Sequence, residues 1–200
     1  MESVPYHAVE KALHEARILD APEERPYEQA KIMFANIALA DFRPTQLYGL
    51  ENHLRSGEKF RENVQNQIGE DTLNMRGGVL LKDSGQIVLP PIVEETENGF
   101  LLLDGLHRSA LAANIGKKSV GALIICETKN KFSLEKFKLP NDWDEISWFA
   151  DEAELGIAVN QGFAKRRTVP GAKNYYRDFS HFTNIERVRR VENEQKNNLH

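Results

Sequence analysis

The stretch from residue 86 to residue 126 constrains the fold most, because the spacing of its apolar residues changes twice within a short length. Residues 86–94 and 99–103 are short apolar segments separated by Glu95, Thr96, Glu97 and Asn98, a polar spacer of hairpin length. Residues 106–115 then carry Leu106, Ala110, Leu111, Ala113 and Ile115 as a helical stripe, and Gly116 follows where a left-handed helix cap belongs. Residues 119–126 return to a strand pattern. Strand, strand, helix, strand describes a compact α+β unit, with the earlier helices packed against its sheet.

Upstream, Val9, Leu13, Ala16 and Leu19 line one face of a helix predicted over residues 4–19, and Pro22 and Pro26 then break the chain. An apolar stretch at residues 32–39 leads to Pro44, which stops regular structure. The spacing of Leu47, Leu50 and Leu54 predicts a short helix that opens at Gln46 and closes at Gly57, with a second, more exposed helix over residues 58–71. The chain divides into an N-terminal helical extension at 1–30, a central domain at 31–128 and a C-terminal extension at 129–200. The last of these is expected to be helical, with a basic and partly disordered end.

With 200 residues, 40% of them hydrophobic, the chain is long enough for one well-buried core. Its apolar runs are far too short to cross a bilayer, and its start lacks the basic and apolar stretches of a secretory signal, so a soluble, cytoplasmic protein without a membrane partner is expected. Cys126, the single cysteine, sits in an apolar segment and reads as a buried thiol, which excludes a disulfide framework. The net charge of −4 argues against a surface wholly devoted to nucleic acid, yet residues 161–200 hold nine Lys/Arg against four Asp/Glu. That basic segment either touches phosphates or solvates a terminal helix.

The chemistry concentrates in Asp104-Gly105-Leu106-His107-Arg108, where an apolar strand turns into a helix. Backbone amides at a helix start converge on one point and favour an anion. Gly105 permits the tight turn, Arg108 offers a planar fork to phosphate oxygens, and His107 can donate to an anion or exchange a proton near neutral pH. Asp104 can hold a divalent cation or accept a proton from an attacking hydroxyl; it can equally be the helix N-cap. The plain alternative is a capped helix whose first-turn polar residues are only solvated.

These residues carry a resemblance. Pro90-Pro91-Ile92-Val93, the run from Gly99 through Asp104-Gly105-Leu106-His107-Arg108 to Ala112, then Gly116 and the strand to Ile125, resemble the signature of the ParB/sulfiredoxin superfamily. There a strand containing Pro-Ile-Val precedes an Asp-Gly-X-His-Arg turn and a short Ala-rich helix. Arg43-Pro44-Thr45-Gln46 followed by Gly49, and Tyr175-Tyr176-Arg177-Asp178-Phe179, are similar to motifs of a subgroup named ParB-like nucleases. The core match covers about residues 37–126, and the outer motifs extend it to about 182.

The resemblance implies a small mixed sheet packed with helices, and a site for ATP or another nucleotide, or for a phosphorylated small molecule, with Mg²⁺. Gly105, Leu106, His107, Arg108 and Ser109 would bind the nucleotide, Asp104 and His107 would be catalytic, and Asp104 would hold the metal. Arg43, Thr45, Gln46 and Glu51 would meet the substrate. The implied activity is phosphoryl transfer to a small hydroxylated substrate; the alternative is a ParB-like nucleic-acid-binding protein or nuclease that uses residues 161–200.

Three departures narrow this. Sulfiredoxins place a Cys in the variable position of the turn, where this chain has Leu106, so their repair chemistry is excluded. Partitioning ParB proteins bind CTP and carry a helix-turn-helix after the fold, and the residues following Cys126 show no clear recognition helix. Relatives that phosphorylate free serine use a Glu shortly after the first strand, near the place of uncharged Gln46, with Glu51 a turn or more further on.

Other features have plainer readings. His53 can project with Gln46 and Glu51 towards the cleft or be a surface residue. Asp142, Asp144, Glu145, Asp151, Glu152 and Glu154 surround Trp143 and Trp148, as either a metal cluster or a solvated face with apolar anchors. Tyr175 and Tyr176 can stack on a nucleic-acid strand or pack on the core.

Overall fold

The structure is a computed structural model of the chain and describes residues 1–18, 21–97, 99–128, 143–164 and the backbone of 177–178. Its first half contains Glu2–Val4 (β1), Tyr6–His14 (α1), Arg17–Ile18 (β2), Lys31–Ala38 (β3), Phe42–Pro44 (β4), Tyr48–Leu50 (β5) and Glu51–Ile68 (α2). Next come Gly78–Leu80 (β6), Ile87–Val88 (β7), Ile92–Thr96 (β8), Gly99–Asp104 (β9), Leu106–Asn114 (α3) and Ser119–Cys126 (β10). Beyond them lie Ser147–Phe149 (β11), Glu152–Asn160 (α4) and Arg177–Asp178 (β12). Short 3-10 turns occupy Leu39–Asp41 and Trp143–Glu145.

The fold is α+β, built on a mixed five-stranded sheet in the order β3-β10-β8-β9-β4. Helix α3 and β10 form where the sequence spacing predicts them, and the expected β8–β9 hairpin forms with β8 running on through Glu95 and Thr96 of the predicted spacer. Strand β10 runs antiparallel to β3 and parallel to β8, so it lies inside the sheet. Its alternation feeds two cores: Leu123 and Ile125 pack with Val9 and Leu13 of α1, while Val120, Ala122 and Ile124 pack with Leu106 and Ala112 of α3. Full burial of one such aliphatic side chain is worth about 1.5–3 kcal/mol. Helix α1 and Tyr27 therefore share a core with the central sheet.

Several expectations are corrected. The helix predicted over residues 4–19 is confined to α1, with Pro5 as its N-cap and Arg17–Ile18 already extended. The two helices expected on either side of Gly57 are one, α2, which ends at Gly69 in the left-handed conformation (φ 81°). Gly57 is not a stop: it lies within α2, and a Cβ there would make only ordinary contact, 3.7 Å from Leu111 Cδ2 of α3. The strand expected over residues 86–94 is split, since Pro90 and Pro91 separate β7 from β8 and proline has no amide to donate.

The C-terminal part is not purely helical. Helix α4 is capped by Asp151, whose carboxylate accepts from the Ala153 and Glu154 amides, but β11 pairs in parallel with β5 and β12 pairs with β2. Among the described residues, no helix is long and apolar enough to cross a membrane. Cys126 is buried, as expected, and burial followed by a hydrogen bond with Glu95 pushes its thiol up to about 11.

Candidate functional site

Strand β9 delivers the chain to the turn, and Gly105 makes the turn there for two reasons. Its backbone is left-handed (φ 96°), and a Cβ would sit 2.7 Å from Pro91 Cα. Helix α3 then begins at Leu106, with the Ser109 amide making the first helical bond, to Gly105 O at 2.9 Å. Gly105 is the N-cap, so no side chain caps the amides of Leu106, His107 and Arg108. The alternative that Asp104 caps the helix is thereby corrected.

Asp104 instead accepts from Arg108: the guanidinium Nη2 lies 2.7 Å from Asp104 Oδ2, with the carboxylate side chain 46% exposed and the arginine 23%. Arg108 Nε is buried and has no partner. Leu106 is 3% exposed and packs into the core, so only its backbone faces the turn.

His107 is fixed from several directions. The Leu50 amide, at the N-cap of α2, donates to His107 Nε2 at 3.0 Å. The ring also meets His53 edge-on at 4.9 Å between centroids, and Trp148 at 6.0 Å. Burial first, then the charges of His53 and Arg108, push its pKa down to about 4 against an opposing pull from Asp104. The imidazole is thus neutral at pH 7, with Nε2 as acceptor and its proton on Nδ1. Proton exchange near neutral pH, expected from the residue type, does not agree with this setting; His107 ties the start of α3 to the start of α2.

The remaining candidates separate. Thr45 is buried, and its hydroxyl donates to Leu102 O at 2.7 Å, so it fastens β4 to β9. Gln46 is exposed between β4 and β5. Glu51 pairs with Arg55 at 3.5 Å and borders a cavity whose described lining contains none of residues 104–109. Arg43 lies on β4 opposite Leu101, and its Nε is buried without a partner. No group of three or more His, Cys, Asp or Glu among the described residues is arranged to hold a metal; Asp144, Glu145, Asp151, Glu152 and Glu154 are exposed, and Asp142 lies outside the described residues. Tyr175, Tyr176 and most of the basic segment 161–200 also lie outside them.

One feature escaped sequence reasoning. Among the described residues, the buried side-chain polar atoms without a partner are Arg43 Nε, Asn52 Oδ1, Arg108 Nε and Ser109 Oγ. All four stand on elements that converge on the turn: β4 beside β9, the first turn of α2, and the first turn of α3. Folded proteins seldom leave such groups unpaired, because each costs about 1–3 kcal/mol. Asn52 carried no signal beyond its place directly after Glu51.

The family model of the ParB CE domain matches residues 8–147. No curated protein matches the sequence significantly. Among solved structures, the protein Atu1540 from Agrobacterium tumefaciens is similar with a TM-score of 0.41 and 12% identity, over 72% of this chain and 76% of that one. A mutant free serine kinase in complex with AMP gives a TM-score of 0.30 and 22% identity, over 47% of this chain and 31% of that one. A conserved hypothetical protein from Pyrococcus furiosus gives 0.30 and 21%, over 47% and 32%.

Proposed function

The chain belongs to the ParB CE domain family, and on that premise we propose that the turn from Asp104 to Arg108 binds the phosphates of a nucleotide. The observation that carries this reading is the set of unpartnered buried polar atoms on the elements that meet at the turn, together with a helix start that no side chain caps. Arg43, Arg108 and Ser109 supply donors beside the amides of Leu106, His107 and Arg108, and Asn52 supplies another if its amide is turned over. A set so rich in donors suits an anion, and the helix dipole adds to it.

Asp104 is the carboxylate of the turn. Mg²⁺ is commonly held by one or two carboxylates together with substrate phosphates, and Asp104 fits that part once Arg108 turns to the phosphate. The metal would neutralise phosphate charge during transfer to a small hydroxyl group, and Asp104 would be the group able to take up the hydroxyl proton. The neutral, amide-bonded ring of His107 supports a positioning part for that residue.

Calorimetry with ATP, ADP and CTP in the presence of Mg²⁺ tests the proposal. The wild type should bind at least one of them, and Arg108→Ala should lose about 1.5–3 kcal/mol, as for hydrogen bonds to a charged group. Absence of binding by the wild type, or undiminished binding by the variant, rejects the site.

A further inference from the structure

Helices α2 and α3 leave between them a cavity of about 670 Å³, with Trp143 and Trp148 on one side and Leu54 and Leu111 among its apolar lining. This size is that of a small-molecule site. Among the described residues that line it, the carboxylates Glu51, Glu58 and Asp144 outnumber the guanidinium of Arg55, which is paired with Glu51. The last turn of α3 also borders it through Asn114, and a helix C-terminus carries partial negative charge. At the other border Glu51 stands in the first turn of α2, near the positive end of that helix.

The tryptophans are held in place by backbone. Trp143 Nε1 donates to Leu39 O at 3.0 Å, which fixes that indole. The ring of Trp148 lies directly over Gly49: a Cβ at that position would come within 2.3 Å of Trp148 Cζ3, so the absence of a side chain makes room for the indole. Both rings are half-buried and pack on the α3 side of the core, while each keeps surface on the cavity.

We propose that this cavity is a second binding site, for a small organic cation with an apolar body, such as an alkylated ammonium. Indole faces attract such cations and the aliphatic lining takes their hydrocarbon part, while surrounding carboxylates supply the charge complement. An anion meets the opposite field there. The cavity adjoins the phosphate turn through Trp148, whose ring centroid lies 6.0 Å from that of His107, but none of residues 104–109 is among its described lining and the inference does not depend on the nucleotide reading.

The chain has two tryptophans, and both border the cavity, so intrinsic tryptophan fluorescence reports on this place. The full chain is titrated with choline and, in parallel, with 3,3-dimethylbutan-1-ol, its uncharged isostere, with no nucleotide present. Choline should give a saturable change, and the isostere should bind roughly tenfold more weakly. Glu58 and Asp144 are exposed, so the double variant Glu58→Gln, Asp144→Asn should keep its fold by circular dichroism and weaken choline binding roughly tenfold. A non-saturable response, equal affinity for the two probes, or an unchanged double variant overturns the proposal.

Discussion

At the scale of single residues, the glycines of the two similar motifs hold geometry for neighbouring groups. Gly105 lets the chain pass Pro91, and Gly49 lets Trp148 lie flat on β5. Replacing Gly49 by Ala should displace the indole and cost about 1–3 kcal/mol, as overpacking does. Urea denaturation measures the loss, and a shifted tryptophan emission in the native state would show where it arises. The sequence made Gly49 visible as part of a motif but gave no reason for it, because the reason is a side chain about a hundred positions away. The same holds for His107: its residue type suggested a proton exchanger, and only burial with a backbone donor makes it a neutral fixture.

At the scale of elements, legibility followed locality. The β8–β9 hairpin, α3 and β10 were legible because a polar spacer, an apolar stripe and a terminal glycine all act within a few residues. Strand β5 was not, since three residues become a strand only by pairing with β11. Gly57 misled because a glycine inside a helix reads locally like its end, whereas α2 runs on past it, packed beside α3, to Gly69. The join between these helices has a second fastening. Asp71 accepts from Arg61 of α2 at 2.7 and 3.1 Å, from Lys117 just beyond α3 at 2.9 Å, and from the Leu73 amide at 3.1 Å. Arg61, followed by Lys117, holds its carboxyl well below the usual carboxylate range despite partial burial. Asp71→Asn should cost about 1.5–3 kcal/mol, read as a lower urea midpoint with unchanged slope.

At the scale of the whole molecule, these two groups shape how stability depends on acidity. The pKa of His107 is lowered on folding from an ordinary 6.5 to about 4, so the unfolded chain takes up a proton first. Its contribution is complete above pH 6.5 and is lost progressively as pH falls towards 4. Asp71 is also depressed, from 3.8, so its contribution stays intact through that window and is lost only at more acid pH. Urea midpoints measured across this range should therefore decline in two stages. His107→Asn should flatten the first and Asp71→Asn the second; a variant that leaves its stage unaltered would show that the group does not titrate as its surroundings require.

The order of the central sheet also bears on how the protein is made. Lys31–Ala38, the earliest of its strands to leave the ribosome, lies against Ser119–Cys126, the latest. Until that late strand emerges, the early one has no neighbour in the sheet, and the loop that must close between them is long. A nascent chain halted before residue 119 would thus be an aggregation-prone fragment with an open edge instead of a smaller working domain.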